Sequence, residues 1–435
     1  MSKEKERKSM KGYYLTTFLI GLGFFTMGLM DPLYDTYIPI FLGRYISSNA
    51  LIGSIMTLDN IFAIFLIPIF SAISDRTRTP IGRRMPFIIT LLPLSAVCFG
   101  LIPFAALSSL ALLIILIFAL NLFKQGVRGP VVALMPDMVP PDIRSEANGV
   151  INTMGGVATI VGTIGLAQLM NIKIHLPSYG PTDNILAFPL SGILVIIAVL
   201  LLFFFIKEKK SDYAEEEKEE KAPIFASLKA VFAQEDKSAF FVLLSLLFWF
   251  IGYQGVLPFI GKYSVEILHT SSGSAALAAG MVGIAYAIFA IPSGIIAHKK
   301  GRKKTIRTSL IALICVLLLV FVHSFTLAKA DVSQTLRMAT FWALMFLFGM
   351  FWVSIITNSF PMLWQMADYS NMGIYTGLYY FFSQLASIIA PPITGALIDL
   401  LGYGALFVFA ALCMAAAFLL MSKVTKGEPV DLTEA

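Results

Sequence analysis

Apolar residues gather along this chain in long blocks, and the charged ones stand in short clusters between them. Blocks of about 20 residues or more are long enough to cross ~30 Å of hydrocarbon. Lipid offers no partner for a free N–H or C=O, so each block must be helical. Twelve are expected, at residues 13–42, 49–73, 85–106, 109–136, 146–171, 185–206, 238–265, 274–298, 305–327, 336–363, 372–398 and 404–422. The pattern predicts an all-α membrane protein with twelve transmembrane helices.

An even number of spans puts both termini on one side, and the basic residues say which. With the termini inside, the inner segments hold 25 Lys and Arg: five in 3–11, four in 76–84, Arg144, seven in 207–237, six in 299–307 and two in 423–426. The outer face holds only Arg44, Lys173, Lys262, Lys329 and Arg337. A multi-pass protein of the cell membrane with both termini cytoplasmic is therefore expected. Residues 1–11 are basic and lead into the first span without a small-residue cleavage site, so they read as a cytoplasmic tail.

The 435 residues are 57% hydrophobic and 13% charged, with a net charge of +6. A positive excess can mark nucleic-acid binding, but here it lies in the loops of one face, so no nucleic-acid partner is expected. Cys98, Cys315 and Cys413 fall inside the spans, and His175, His269, His298 and His323 are scattered. Neither a disulfide framework nor a metal site is expected from such spacing. Gly21-Leu22-Gly23 lies within a span and lacks the lysine–serine pair of a phosphate-binding loop, which argues against ATP drive. The chain reads as a monomer that is not an enzyme and needs no cofactor, with H⁺ or Na⁺ as possible coupling ion.

The polar stretch 207–237 divides the chain into six spans plus six: an N-terminal half at 1–206, a linker, and a C-terminal half at 238–435. The linker holds an acidic run at 214–221, expected to be solvated. Behind it Ile224, Phe225, Leu228, Val231 and Phe232 recur at helical spacing around Lys229. That pattern fits either an interfacial amphipathic helix or an extension of the seventh span. The halves echo each other. Basic turns follow spans two and eight, at 74–84 and 298–304, and Pro136-Asp137 ends span four as Ala367-Asp368 follows span ten. Two pseudo-symmetric six-helix bundles are the architecture in which solute binds between halves near the midplane.

Ser74-Asp75-Arg76 through Gly82-Arg83-Arg84 resembles the cytoplasmic signature of the major facilitator superfamily. Thr57-Leu58-Asp59-Asn60 through Pro68 to Arg84-Met85-Pro86-Phe87 is similar to the sucrose-transporter-like branch of the glycoside–pentoside–hexuronide cation symporters. Gly129-Pro130-Val131-Val132-Ala133-Leu134 with Asp137, and Gly377-Leu378-Tyr379-Tyr380 through Pro391-Pro392, agree. The resemblance implies alternating access, and it implies that Asp75, Arg76, Arg83, Arg84, Asp137 and Arg144 form a charged latch at the inner gate. The alternative for the arginines is topology alone. Sucrose carriers have an aspartate at the position of Asn121 and an arginine at that of Val132, so a sugar other than sucrose is implied.

Charges inside hydrocarbon cost at least ~2.5 kcal/mol each and need an explanation. Asp31 and Asp35 sit at i and i+4 on span one, Asp59 in span two, and Asn121, Lys124, Gln125 and Arg128 form a polar stripe on span four. Three acids against two bases leave one carboxylate uncompensated, able to take up a proton or cation. Asp31, Asp35, Asp59, Lys124 and Arg128 are the candidate coupling residues. The plainer alternatives are helix-tying ion pairs and, for Asp59, a bond to neighbouring backbone. In the second half Trp249, Tyr253 and Gln254, Trp352, Asn358 and Ser359, and Tyr379, Tyr380, Ser383 and Gln384 put aromatics beside amides. Such pairs suit a sugar, with C–H faces to stack and hydroxyls to bond, although packing alone explains many aromatics. The candidate substrate contacts are Asn121, Gln125, Tyr253, Gln254, Asn358, Tyr380 and Gln384. The glycines of span five, Gly155, Gly156, Gly162 and Gly165, are expected to be close-packing points.

The leading functional reading is a proton- or cation-coupled symporter of a sugar or glycoside. A facilitator or exporter of amphipathic compounds on the same fold is the alternative. A membrane sensor or scaffold is disfavoured, because the chain has no extramembrane domain beyond the linker.

Overall fold

The computed structural model describes residues 12–140, 143–208, 236–326, 332–366 and 372–428. Residues 1–11, most of the linker with its acidic run and apolar stripe, and Ala367-Asp368 lie outside them. Among the described residues twelve helical spans are long and apolar enough to cross a membrane. They run Tyr14–Leu42, Asn49–Arg76, Met85–Ser108, Leu110–Met138, Ala147–Asn171, Ala187–Phe205, Ser238–Glu266, Ser272–Lys300, Arg302–Phe325, Gln334–Trp364, Ile374–Leu401 and Gly404–Ser422. Every end lies within three residues of the sequence expectation, because the blocks are bounded by charges and turn residues that lipid excludes.

Three spans are not continuous α-helix. Span two breaks at Thr57 into Asn49–Met56 and Leu58–Arg76, and span eight into Ser272–Ala275 and Leu277–Lys300. Span five passes from α-helix to a π turn at Val161–Gly165 and a 3₁₀ segment at Leu166–Asn171. After it comes a feature that the apolar blocks did not announce, a hairpin pairing Ile174–Leu176 with Gly180–Thr182. Its turn, Pro177-Ser178-Tyr179-Gly180, carries Gly180 at φ +70°, a conformation that a Cβ disfavours.

The helices form two compact units. Unit one is Met1–Tyr45, Leu58–Lys218 and Ser272–Ala276; unit two is Ile46–Thr57, Glu219–Ser271 and Leu277–Ala435. In unit one Ile20, Met27, Ile88, Val127, Val131 and Ile151 build a buried core. There spans one and five meet backbone to backbone: a Cβ on Gly28 would stand 2.4 Å from the Gly155 carbonyl oxygen. Gly162 also lies close, with Leu29, but Gly156 and Gly165 border open space. Only part of the glycine series is therefore packing. The broken outer piece of span eight is tied in by Tyr37, whose hydroxyl donates to the Ser272 carbonyl at 2.8 Å, and by Gln168, which donates to that of Gly273 at 3.1 Å.

In unit two Ile251, Ala386, Ala390 and Cys413 form a core, and Tyr263 packs on Phe341 and Phe407. The short helix Asn49–Met56 is held by Asp399, whose carboxylate accepts from the N–H groups of Asn49 at 2.7 Å and Ala50 at 3.0 Å. Lys262 donates to the Asn49 side-chain oxygen at 2.7 Å.

A matching device appears once in each unit. Glu208, just beyond span six, accepts from the N–H groups of Arg84 and Met85 at the start of span three, at 2.9 and 3.1 Å. Glu428, beyond span twelve, accepts from those of Arg302 and Lys303 at the start of span nine, at 2.5 and 3.0 Å. A carboxylate there satisfies orphan donors and meets the positive end of the helix.

Candidate functional site

In unit one the intramembrane charges converge on span one. Pro32 has no N–H to give the Gly28 carbonyl, and Thr159 of span five donates to that oxygen at 3.3 Å. Around this point Asp31, Tyr34 and Asp35 occupy one face at i, i+3 and i+4. Lys124 of span four, nearly buried, donates to Asp31 Oδ1 at 2.9 Å, while the Asp31 side chain is 40% exposed. The Lys124 ammonium also lies 5.0 Å from the centroid of the Tyr34 ring. Asn121 donates to the Tyr34 hydroxyl at 2.9 Å.

Asp35 stands within electrostatic range of Asp59, Asp31 and Lys124. Among the described residues neither Asp35 nor Asp59 has a cation at ion-pair distance. Asp59 opens the second helix of span two and accepts from the backbone and side-chain nitrogens of Asn60, at 2.7 and 2.8 Å, the local bond that sequence had left as its alternative. Arg128, exposed on the far turn of the polar stripe, makes no ion pair with the three acids but stands within electrostatic range of Asp59. Of the three carboxylates only Asp31 has an ion-paired cation, Lys124. The carbonyl oxygens of the Asn121 and Gln125 side chains are buried without a donor.

In unit two Tyr253 stacks on Trp352 with centroids 4.2 Å apart and planes 4° apart. Gln254 donates to Ser387 at 2.5 Å. Tyr379 shares a 3.1 Å bond with Ser359 and crosses Phe360 edge to face. Tyr380, 58% exposed, borders Phe360 and Tyr379, and the Gln384 side-chain oxygen is buried without a donor. Asn358 turns to backbone instead, donating to the Ser354 carbonyl at 2.8 Å.

At the basic end of unit one Asp137 gathers two guanidiniums, Arg83 at 2.5 Å and Arg84 at 2.9 Å. Arg84 also pairs with Asp75 and donates to Ser74 at 3.0 Å. Burial pulls the Arg83 guanidinium down, and the Asp137 carboxylate outweighs it, leaving Arg83 above the ordinary arginine range. Arg144 is not in this network. It donates to the Pro136 and Val139 carbonyls and closes the end of span four.

Three contributors escaped sequence reasoning. Tyr34 looked like one more aromatic, although its i+3 spacing from Asp31 was readable. Ser387 carried no signal, and Glu208 was lost among the charges of the linker. Among the described residues no group of three or more His, Cys, Asp or Glu could hold a metal ion.

The family profile described as Major Facilitator Superfamily matches residues 14–391 and 266–434. No curated protein sequence matches the chain. Among solved structures, a bacterial homologue of the iron transporter ferroportin, inward-facing, aligns with a TM-score of 0.68 at 13% identity, covering 94% of this chain and 99% of that one. A bacterial homologue of the human lysosomal transporter Spinster, inward-facing and unoccupied, gives 0.67 at 13% identity, over 96% and 95%. The nucleoside transporter NupG gives 0.65 at 13%, over 94% and 100%. Their cargoes differ, and likeness at this identity speaks for the fold alone.

Proposed function

The chain belongs to the Major Facilitator Superfamily, as a multi-pass membrane transporter, and we propose that within it the protein is a proton- or cation-coupled symporter of a sugar or glycoside. The observation that carries the coupling is the 2.9 Å Asp31–Lys124 pair beside two carboxylates without a cation of their own. A low-dielectric cluster with more acids than bases gains by binding a proton or cation. Asp31, Asp35 and Asp59 are the coupling carboxylates, with Lys124 as their fixed counter-ion and Arg128 as the exposed charge beside them.

Unpartnered acceptors support the sugar. Asn121, Gln125 and Gln384 each hold a buried oxygen without a donor, a deficit worth about 1–3 kcal/mol apiece that substrate hydroxyls would relieve. Tyr253, Gln254 and Tyr380 add aromatic faces and an amide. Asn358 acts by holding its helix. The likeness of Thr57–Asn60 and Gly129–Leu134 to the sucrose-transporter-like branch supports the same class, and Asn121 and Val132 point to a sugar other than sucrose. Asp75, Arg83, Arg84 and Asp137 form the inner latch, Arg76 adds charge beside it, and Arg144 fixes the end of span four. The basic loops orient both termini to the cytoplasm of the cell membrane, with the protein working as a monomer.

The test is binding of a sugar panel to purified protein by calorimetry. Saturable binding of one sugar class supports the reading. Binding of amphipathic cations and of no sugar would replace it with the exporter.

A further inference from the structure

A second polar site in unit two shares no lining residue with the aromatic and amide cluster. Lys303, Lys304, Arg307 and Thr308 on span nine, with Phe418 of span twelve and Glu428, surround a cavity of about 510 Å³. The Arg307 guanidinium lies 4.6 Å from the centroid of the Phe418 ring, and its Nε is buried without a hydrogen-bond partner. Three cations meet one carboxylate here. Glu428 is taken up by the N–H groups of Arg302 and Lys303, and Lys303 by the Ser422 and Val424 carbonyls at 3.1 and 2.5 Å. Among the described residues neither Lys304 nor Arg307 forms an ion pair, with Glu428 or any other carboxylate.

The surface leading from the cavity is apolar. Lys304, Thr308, Ile311, Leu318 and Val322 are all exposed and follow one another at helical spacing, so one face of span nine is charged at its end and apolar along its length. A topology signal needs charge in the loop. It does not need a guanidinium a turn inside the span, over an aromatic ring, with a desolvated N–H to spare.

We propose that this cavity binds the phosphate of an anionic phospholipid headgroup, with an acyl chain along the exposed face of span nine. Lys304 and Arg307 hold the phosphate, Thr308 supplies a hydroxyl, and Ile311 begins the apolar path. Basic pockets between helices on the cytoplasmic side are where such headgroups are recognised, and the lining shares no residue with the solute and coupling sets.

The experiment uses full-length protein in phosphatidylcholine nanodiscs doped with phosphatidylglycerol, with retained lipid measured by native mass spectrometry. K304Q, on the exposed rim where the fold is not at stake, and R307Q should each weaken phosphatidylglycerol retention about fivefold, the effect of one basic residue at an anionic surface. The K299Q/K300Q pair, which removes charge from the last turn of span eight outside the cavity, should leave retention unchanged. Equal loss in that pair, or full retention in both K304Q and R307Q, overturns the site. Displacement of the lipid by inorganic phosphate would overturn the lipid assignment in favour of a free-anion site.

Discussion

Lys124 gives its ammonium to Asp31, at 2.9 Å, and to no second carboxylate. Asp35 and Asp59 share the neighbourhood without a share of the bond. A half-exposed pair of this kind is a weak source of fold stability, and it leaves two further carboxylates in the cluster without an ion pair.

Asp35→Asn should abolish gradient-driven accumulation and keep solute exchange, because it removes a titratable site and breaks no ion pair. Asp31→Asn should do the same and also destabilise the protein by about 1–2 kcal/mol, less than the ~3–5 of a fully buried pair because Asp31 is 40% exposed. Uptake and exchange assays with thermal unfolding check both. Normal accumulation in both variants would remove these acids from coupling.

Asp137→Asn should weaken the latch more than Asp75→Asn. Asp137 serves two guanidiniums, one of them bidentate, whereas Asp75, half-exposed, serves one. In a background with Cys98, Cys315 and Cys413 replaced by serine, a cysteine at Tyr380 should then react faster with a maleimide from the cytoplasmic side. Unchanged rates in both variants would leave the cluster no gating role.

Gln125→Ala and Tyr380→Ala should each weaken sugar binding by about 1–3 kcal/mol, the loss of one buried hydrogen-bond partner or its aromatic equivalent. Asn358→Ala should act on stability more than on affinity, since its amide already serves the Ser354 carbonyl. Calorimetric titration separates the two effects.

Glu208→Gln and Glu428→Gln should each lower stability by about 1 kcal/mol, the scale of a lost helix cap. Thermal unfolding measures this, and similar shifts from both would reflect their matching positions in the two units.

The spans were legible because lipid enforces one simple rule on long apolar blocks. The breaks within them were not: Thr57 and the π turn at Val161–Gly165 fall inside blocks whose composition reads as unbroken helix. The Asp31–Lys124 pairing followed from the count of intramembrane charges, but the choice of Asp31 over Asp35, and of Lys124 over Arg128, depends on helix rotation. Glu208 escaped notice because a capping carboxylate and a solvated one look alike in sequence. Arg144 was grouped with the latch by charge, although its guanidinium serves carbonyls.

The most direct test of the central claim is uptake of a radiolabelled sugar panel into vesicles holding the purified protein, with pH and Na⁺ gradients imposed separately. One gradient should drive accumulation of a sugar above its external concentration, and Asp35→Asn should reduce this to equilibration. Equilibration without accumulation under either gradient in the unaltered protein would contradict a coupled symporter.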